Sequence, residues 1–330
     1  MKKLICVVGP TACGKTKLGV LLAQRYGGEV VSCDSMQLYR GMVIGTAAPT
    51  PDETAGVPHH MVGVYDPHEA CSVARYAEDA GRCVDDILAR GAQPIVVGGT
   101  GLYLDALLAG HGFAAGQFGG EVRNRLEARC DAEGIEALLD ELRRVDPESA
   151  ARVQGLNRKR ILRALEVWYE TGKTLTQHNL ETQRVPPRYA AVKLGLAFEN
   201  REDMRSLIDR RVDAMVAQGL FDEVRALLAS GVPRASTALQ AIGYKECLAY
   251  LDGTASRDDA IAEIKLRSRQ YAKRQLTWLR RDQSIHWYYW KKTRDFQAAL
   301  TFRQKSSRSV AYSDCIADKP SARYRKDEHT

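Results

Sequence analysis

Gly9-Pro10-Thr11-Ala12-Cys13-Gly14-Lys15-Thr16 brings together the residue types that hold a phosphate chain. Glycines let successive backbone N–H groups turn inward around an oxyanion, and a following helix adds partial positive charge at its N-terminus. Lys15 adds a full charge, and the Thr16 hydroxyl is placed to hold Mg2+. The spacing Gly-x4-Gly-Lys-Thr carries this meaning only between a strand and a helix. Both are present: the apolar run 4–8 precedes the loop, and Leu18, Leu21 and Leu22 follow at helical spacing. The loop predicts a bound phosphate chain and leaves open which one and for what reaction.

Asp34 ends a second apolar run, 29–33, eighteen residues after Thr16. A carboxylate at a strand end beside a phosphate loop can coordinate magnesium or accept a proton from an incoming nucleophile; an Asp there can equally cap a helix. Three residues on, Gln37 offers both a donor and an acceptor, which suits a base edge. A third run, 93–97, leads into Gly98-Gly99-Thr100-Gly101. In open sheets of this class ligands sit beyond the carboxyl ends of the strands. Thr100 is therefore expected at the same edge as Asp34. His59-His60 lacks an acidic or cysteine partner at ligand spacing and reads as loop histidines that fix structure by hydrogen bonding.

The elements that must position these groups follow from the apolar pattern. Runs alternating with amphipathic segments over residues 1–113 predict a parallel sheet covered by helices. Gly110, Gly112, Gly116, Gly119 and Gly120 predict a hinge, after which 121–172 is helical in pattern, with a helix starting at Asp146-Pro147. Pro186-Pro187 closes this unit, and 191–198 reads as a strand returning to the sheet. Helical spacing resumes over 204–228 and 258–281, and 285–290 is a short aromatic strand. The fold class is α/β: a P-loop NTPase-like parallel sheet covered by helices, with an all-helical insertion domain. Residues 1–113 and 189–300 form the core, 114–188 the insertion, and 301–330 a disordered tail.

The net charge of +7 lies outside the phosphate-loop portion: residues 1–110 carry −2 and the remainder +9. Lys265, Arg267, Arg269, Lys273, Arg274, Arg280 and Arg281 form an acid-free stretch with Lys265, Arg269 and Lys273 in one i,i+4 stripe. Ile261, Ile264, Ser268, Tyr271, Ala272 and Leu276 form its inner face. Like charges stacked on a helix repel, so an outside anion is the expected compensation. A second cluster, Arg152, Arg158, Lys159, Arg160 and Arg163, with Arg123, lies in the insertion. Two basic clusters beside a phosphate site point to a nucleic-acid partner held between them. The eight cysteines form no C-x-x-C pair and read as reduced thiols. No apolar stretch reaches membrane-spanning length, and the start has no signal-peptide pattern, so a cytoplasmic monomer with no membrane partner is expected.

These motifs, in order, resemble the tRNA dimethylallyltransferase (tRNA isopentenyltransferase) family over about residues 3–290. The segments that carry the likeness are 9–16, Asp34-Ser35-Met36-Gln37-Leu38-Tyr39, His59-His60, 98–103, Arg163-Ala164-Leu165-Glu166-Val167, Ala241-Ile242-Gly243-Tyr244-Lys245-Glu246, and Ala272-Lys273-Arg274-Gln275-Leu276-Thr277-Trp278. The resemblance implies transfer of a dimethylallyl group from dimethylallyl diphosphate to N6 of the adenine at tRNA position 37. It implies Mg2+ at Thr16, and a loop that binds this diphosphate rather than working as an ATPase. It gives Asp34 the role of general base, sets Thr100 near the adenine, and sets Arg211 near the diphosphate. It also assigns contacts to the tRNA anticodon stem-loop: Asp34, Ser35, Met36, Gln37, Thr100, Arg123, Lys159, Arg160, Ile161, Leu162 and Arg163. Further contacts are Gln240, Ala241, Ile242, Gly243, Tyr244, Lys245, Lys273, Arg274, Gln275, Leu276, Thr277, Trp278, Leu279 and Arg280. The chain departs from the family pattern at Cys13, which could make the site thiol-sensitive, and at Arg158, Leu207 and Ser268. A P-loop small-molecule kinase and a nucleotide-gated RNA-binding protein are the other classes the motifs admit. The insertion and the basic helix argue against a relative that prenylates free adenine nucleotides.

Overall fold

A computed structural model describes residues 3–109, 120–153 and 155–301. In chain order the first elements are β1 (Lys3–Val8), α1 (Lys15–Tyr26), β2 (Gly28–Cys33), the short α2 (Pro51–Thr54), β3 (His59–His60), α3 (Val73–Ala89), β4 (Gln93–Gly98) and α4 (Gly101–Ala109). Five helices follow: α5 (Glu121–Glu133), α6 (Ile135–Val145), α7 (Pro147–Arg152), α8 (Arg158–Thr171) and α9 (Leu175–Gln183). The chain then forms β5 (Ala190–Phe198), α10 (Arg201–Ala217), α11 (Leu220–Ala229), α12 (Tyr244–Leu251), α13 (Arg257–Leu279), β6 (Ile285–Trp290) and α14 (Phe296–Leu300).

The strands form one sheet in the order β3-β2-β4-β1-β5-β6, with every neighbouring pair parallel. A parallel sheet is covered on both faces, which is why its strands read as continuous apolar runs. Strand parity divides them between two cores. Leu4, Cys6 and Val8 join Val31, Cys33 and Val96 against α3, α4, α11 and α12. Ile5 and Val7 join Val30, Ile95 and Val97 against α1, α10 and α13. Register then aligns the strand ends that matter: Gly98 pairs with Val8 on one side and with Cys33 on the other. The phosphate loop, Asp34 and Thr100 thus leave the sheet at one edge.

Two elements differ from the sequence expectation. His59 and His60 form the edge strand β3, not a loop, pairing with Val30 and Val31. Their hydrogen-bonding role stands: His60 Nε2 lies 2.7 Å from Glu29 Oε2, and His59 Nδ1 lies 2.8 Å from the Val57 carbonyl. The helical stretch 204–228 is two helices, α10 and α11, because Gly219 adopts φ 99° and caps the second.

The chain divides into two compact units, one holding all six strands and the other spanning Ala109–Pro187. The second unit has its own core, including Leu126, Leu138, Leu142, Ile161 and Leu165. Asp146 is its buried polar anchor. It caps α7 through the Ser149 N–H (3.1 Å) and accepts both the N–H and the hydroxyl of Thr176 at the start of α9 (3.0 and 2.7 Å). Apart from Gly120, the glycine-rich hinge lies outside the described residues, as does the tail beyond Thr301.

Candidate active site at the carboxyl ends of the strands

Gly14 adopts φ 88° and caps α1 without a side chain, so the first N–H groups of the helix stay open to a ligand. Lys15 folds back, its Nζ donating to the Pro10 carbonyl at 2.7 Å. Two distant elements brace the loop. The Thr11 N–H donates to Gln275 Oε1 (2.9 Å), and the Trp290 indole N–H donates to the Cys13 carbonyl (2.8 Å). Cys13 is fully buried, and burial raises its pKa against the opposing charge of Lys15. The thiolate is therefore disfavoured, and the thiol sensitivity expected from sequence has no structural basis.

Asp34 opens a turn in which its Oδ1 accepts the Met36 N–H at 3.0 Å, leaving Oδ2 without a partner among the described residues. The Thr100 hydroxyl accepts the Ser35 N–H at 3.3 Å, and the Thr100 N–H bonds the Cys33 carbonyl. Thr100 therefore braces the turn that carries Asp34. Gln37 is engaged differently from the expectation. Its Oε1 accepts from Ser32 Oγ, and its Nε2 donates to the Thr46 and Ala47 carbonyls. Both amide hydrogens are committed to the protein, so it holds the 46–47 loop and does not present donors to a base.

A cavity of about 470 Å³ joins the phosphate loop to the Asp34 turn, and Thr100 stands behind that turn and not in the lining. Residues of the phosphate loop and Asp34–Gln37 line it with Arg211, Tyr244, Arg274 and Arg294, and Ile208, Val212, Met215, Ile242 and Ile264 add an apolar wall. Its volume and mixed lining are those of a small-molecule site. Arg211 has no ion-pair or hydrogen-bond partner among the described residues. Burial pulls its guanidinium below its ordinary pKa, while the Asp34 and Glu53 carboxylates favour its charge. A guanidinium stays ionised under such a shift, and an unpaired one in a cavity calls for an anion. Tyr271, which sequence reasoning placed only on an inner face, also lines the cavity; burial, then Asp34, pushes its phenol up to about 12. No three His, Cys, Asp or Glu side chains converge as metal ligands among the described residues. Mg2+ needs no such cage, since it takes one or two protein oxygens and completes its shell with water and substrate phosphate. Thr16 and Asp34, both lining the cavity, fit that requirement.

The residues expected to meet RNA divide by exposure. On α13, Lys273, Arg274, Thr277, Trp278 and Arg280 are exposed, Leu276 is half-buried, and Gln275 and Leu279 are buried. The buried face is Ala260, Ile264, Ala272, Gln275 and Leu279, while Ser268 and Tyr271 are only half-buried. The stripe lacks the repulsion inferred from sequence. Arg269 donates from Nη1 to both oxygens of Asp209 (2.7 Å to each), and Lys265 pairs with Asp213 (2.6 Å), both acids coming from α10. Between α11 and α12, Gln240 and Lys245 are exposed, Ile242 is half-buried, and Ala241, Gly243 and Tyr244 are buried.

In the insertion, Ile161 and Leu162 belong to the core, so their side chains do not reach a surface. Arg158 pairs with Asp131, Arg152 with Glu148, Arg123 with Glu127, and Arg163 with Glu166. Lys159 and Arg160 are exposed, with no acidic partner among the described residues. Arg294 was not legible as a site residue: it sits in no motif and reaches the cavity through tertiary packing.

A family model described as IPP transferase matches residues 37–282, and one described as isopentenyl transferase matches residues 2–61. The chain is 45% identical over 289 residues to a tRNA dimethylallyltransferase of Halalkalibacterium halodurans, covering 87% of this chain and 91% of that one. It is 46% identical over 287 residues to a tRNA dimethylallyltransferase of Geobacillus thermodenitrificans, covering 87% and 90%. Among solved structures it resembles the tRNA isopentenylpyrophosphate transferase of Bacillus halodurans, with 41% identity, 91% and 94% coverage and a TM-score of 0.67. A eukaryotic dimethylallyltransferase described as acting on tRNA matches with 30% identity, 89% and 74% coverage and a TM-score of 0.76.

Proposed function

The chain belongs to the IPP transferase family, and from that we propose that it transfers a dimethylallyl group from dimethylallyl diphosphate to N6 of the adenine at tRNA position 37. The observation that carries this reading is one cavity holding a phosphate loop, an unpaired arginine, a carboxylate and an apolar wall. The loop and Arg211 take the diphosphate, and the apolar wall takes the hydrocarbon tail. In transfer the N6–carbon bond forms as the carbon–oxygen bond to the diphosphate breaks. The N6 proton passes to the free Oδ2 of Asp34. The diphosphate leaves into N–H groups, Lys15 and Arg211, which are already arranged for negative charge. Thr16 would hold Mg2+, which when bound neutralises charge on the leaving group. A stacked adenine cannot reach this cavity, so the base is flipped out of the anticodon loop.

RNA contact falls to exposed cations, Lys245, Lys273, Arg274 and Arg280 in the sheet unit and Lys159 and Arg160 in the insertion. Among the described residues no helix is long and apolar enough to cross a membrane.

Incubating the protein with labelled dimethylallyl diphosphate and total tRNA tests the reading: label is expected in tRNA, and its absence refutes it. Asp34→Ala is expected to lower the transfer rate by about 10²–10⁴-fold with tRNA binding retained. Robust transfer by that variant would show that another group is the base.

A further inference from the structure

The segment following β6 is fastened to the phosphate loop. The bond from Trp290 to the Cys13 carbonyl is buried, and the Trp290 ring meets Phe296 edge-on with centroids 5.2 Å apart. Phe296 fills the space beside Gly14, where a Cβ would stand 2.9 Å from its ring. Arg294 lies in the turn between these two aromatic anchors. Its Cδ is 3.4 Å from the same point, and its side chain lines the cavity with Lys15, Thr16 and Arg211.

Arg294 has no hydrogen-bond or ion-pair partner among the described residues. Its charge acts against that of Arg211, which lines the same cavity. Two carboxylates line the cavity as well, Asp34 and Glu53, each giving one oxygen to a backbone N–H, and they are outnumbered there by Lys15, Lys17, Arg211, Arg274 and Arg294. An anchored turn thus delivers an unpaired guanidinium to a place already rich in unpaired positive charge. A multiply charged anion between the cations would offset that excess of positive charge.

We propose that Arg294 is a diphosphate-binding residue that acts with Lys15 and Arg211 on the leaving group. It lies beyond residue 282, where the matched IPP transferase model ends. The assignment deepens the function proposed above and rests on it. A guanidinium suits this place because its fork can meet two phosphate oxygens at once. The exposure of Arg294 puts it at the mouth of the cavity, where it can follow the diphosphate in and out.

Calorimetric titration of inorganic diphosphate with Mg2+ into the full chain tests this, together with steady-state KM values for dimethylallyl diphosphate and for tRNA. Arg294→Ala is expected to weaken diphosphate binding and raise KM for dimethylallyl diphosphate by roughly tenfold, leaving KM for tRNA unchanged. Arg294→Lys is expected to recover part of the loss, because it restores the charge but not the fork. Arg294→Gln, close in length to the native side chain, keeps the test decisive if the alanine variant folds poorly. Wild-type diphosphate affinity in both neutral variants overturns the assignment of Arg294, as does a rise confined to KM for tRNA. Failure of the unaltered protein to bind diphosphate overturns the underlying functional reading with it.

Discussion

Two side chains that line the cavity, Asp34 and Tyr271, have opposite protonation requirements. Asp34 must be a carboxylate to accept a proton, and the Asx turn holds one of its oxygens on the Met36 N–H. Tyr271 is kept neutral: burial and then the Asp34 charge raise its pKa to about 12, while the Thr100 hydroxyl, Arg274 and Gln275 oppose the rise. A phenol raised above its ordinary value contributes fully to stability below about pH 10. That contribution is lost as pH rises from there towards about 12. Across pH 7–10 it therefore stays protonated and keeps its O–H as a donor. The rate of transfer measured over that range is expected to show no limb from this phenol, and Tyr271→Phe should leave the shape of the profile unchanged. A limb near pH 9–10 that disappears in Tyr271→Phe would contradict the assignment. Neither Tyr271 nor the engaged amide of Gln37 was legible beforehand, because a polar side chain's partners are set by tertiary packing and not by its place in a motif.

Glu223 shows how one helix shapes a site formed by others. Its Oε2 accepts the N–H groups of Val43 (2.9 Å) and Ile44 (2.7 Å), and its Oε1 accepts the Gly45 N–H (3.0 Å) and the Tyr244 hydroxyl (2.5 Å). The carboxylate of α11 thus clamps the 43–45 loop and the start of α12 together. A Cβ at Gly45 would stand 2.4 Å from the Tyr244 ring, so the loop lies flat against it. Gly45, Thr46 and Tyr244 all line the cavity. Glu223→Ala leaves four donors without their acceptor and is expected to cost about 1–3 kcal/mol, read as a lower urea midpoint, with a raised KM for dimethylallyl diphosphate. Glu223→Gln, which keeps one acceptor oxygen, should lose less; an unchanged midpoint in both variants would show the clamp to be idle. Elements differ in how far they could be read in advance. The long apolar strands and the loop between β1 and α1 follow from local pattern. The two-residue strand β3 has no period to detect, and its place is decided by pairing with β2. The basic stripe of α13 misled for the same reason. Its compensating acids, Asp209 and Asp213, lie on α10, beyond any count of spacing within one helix.

At the scale of the molecule, the insertion leaves and rejoins the sheet unit at almost one point. The Arg188 N–H donates to the Leu108 carbonyl at 3.0 Å, and the Tyr189 hydroxyl next to it bonds the Gly81 carbonyl at 3.2 Å. The insertion buries its own core, so the sheet unit's two cores do not depend on it. Closing the gap with a short glycine-serine loop adds little entropic cost, because loop closure grows only with the logarithm of length. A chain with residues 109–187 replaced in this way is expected to fold and to bind diphosphate, since every residue lining the cavity lies outside that stretch. It should not modify tRNA. Removing Lys159 and Arg160 takes away exposed cations that have no acidic partner among the described residues, and each lost phosphate contact should flatten the salt dependence of tRNA binding by about 0.7–0.9 in log–log slope. Retained diphosphate binding with an unchanged salt slope and full transfer to an anticodon stem-loop would mean that the sheet unit alone selects the RNA. Loss of transfer with a flatter slope would instead divide the labour: chemistry in the sheet unit, and a share of the RNA grip in the helical one.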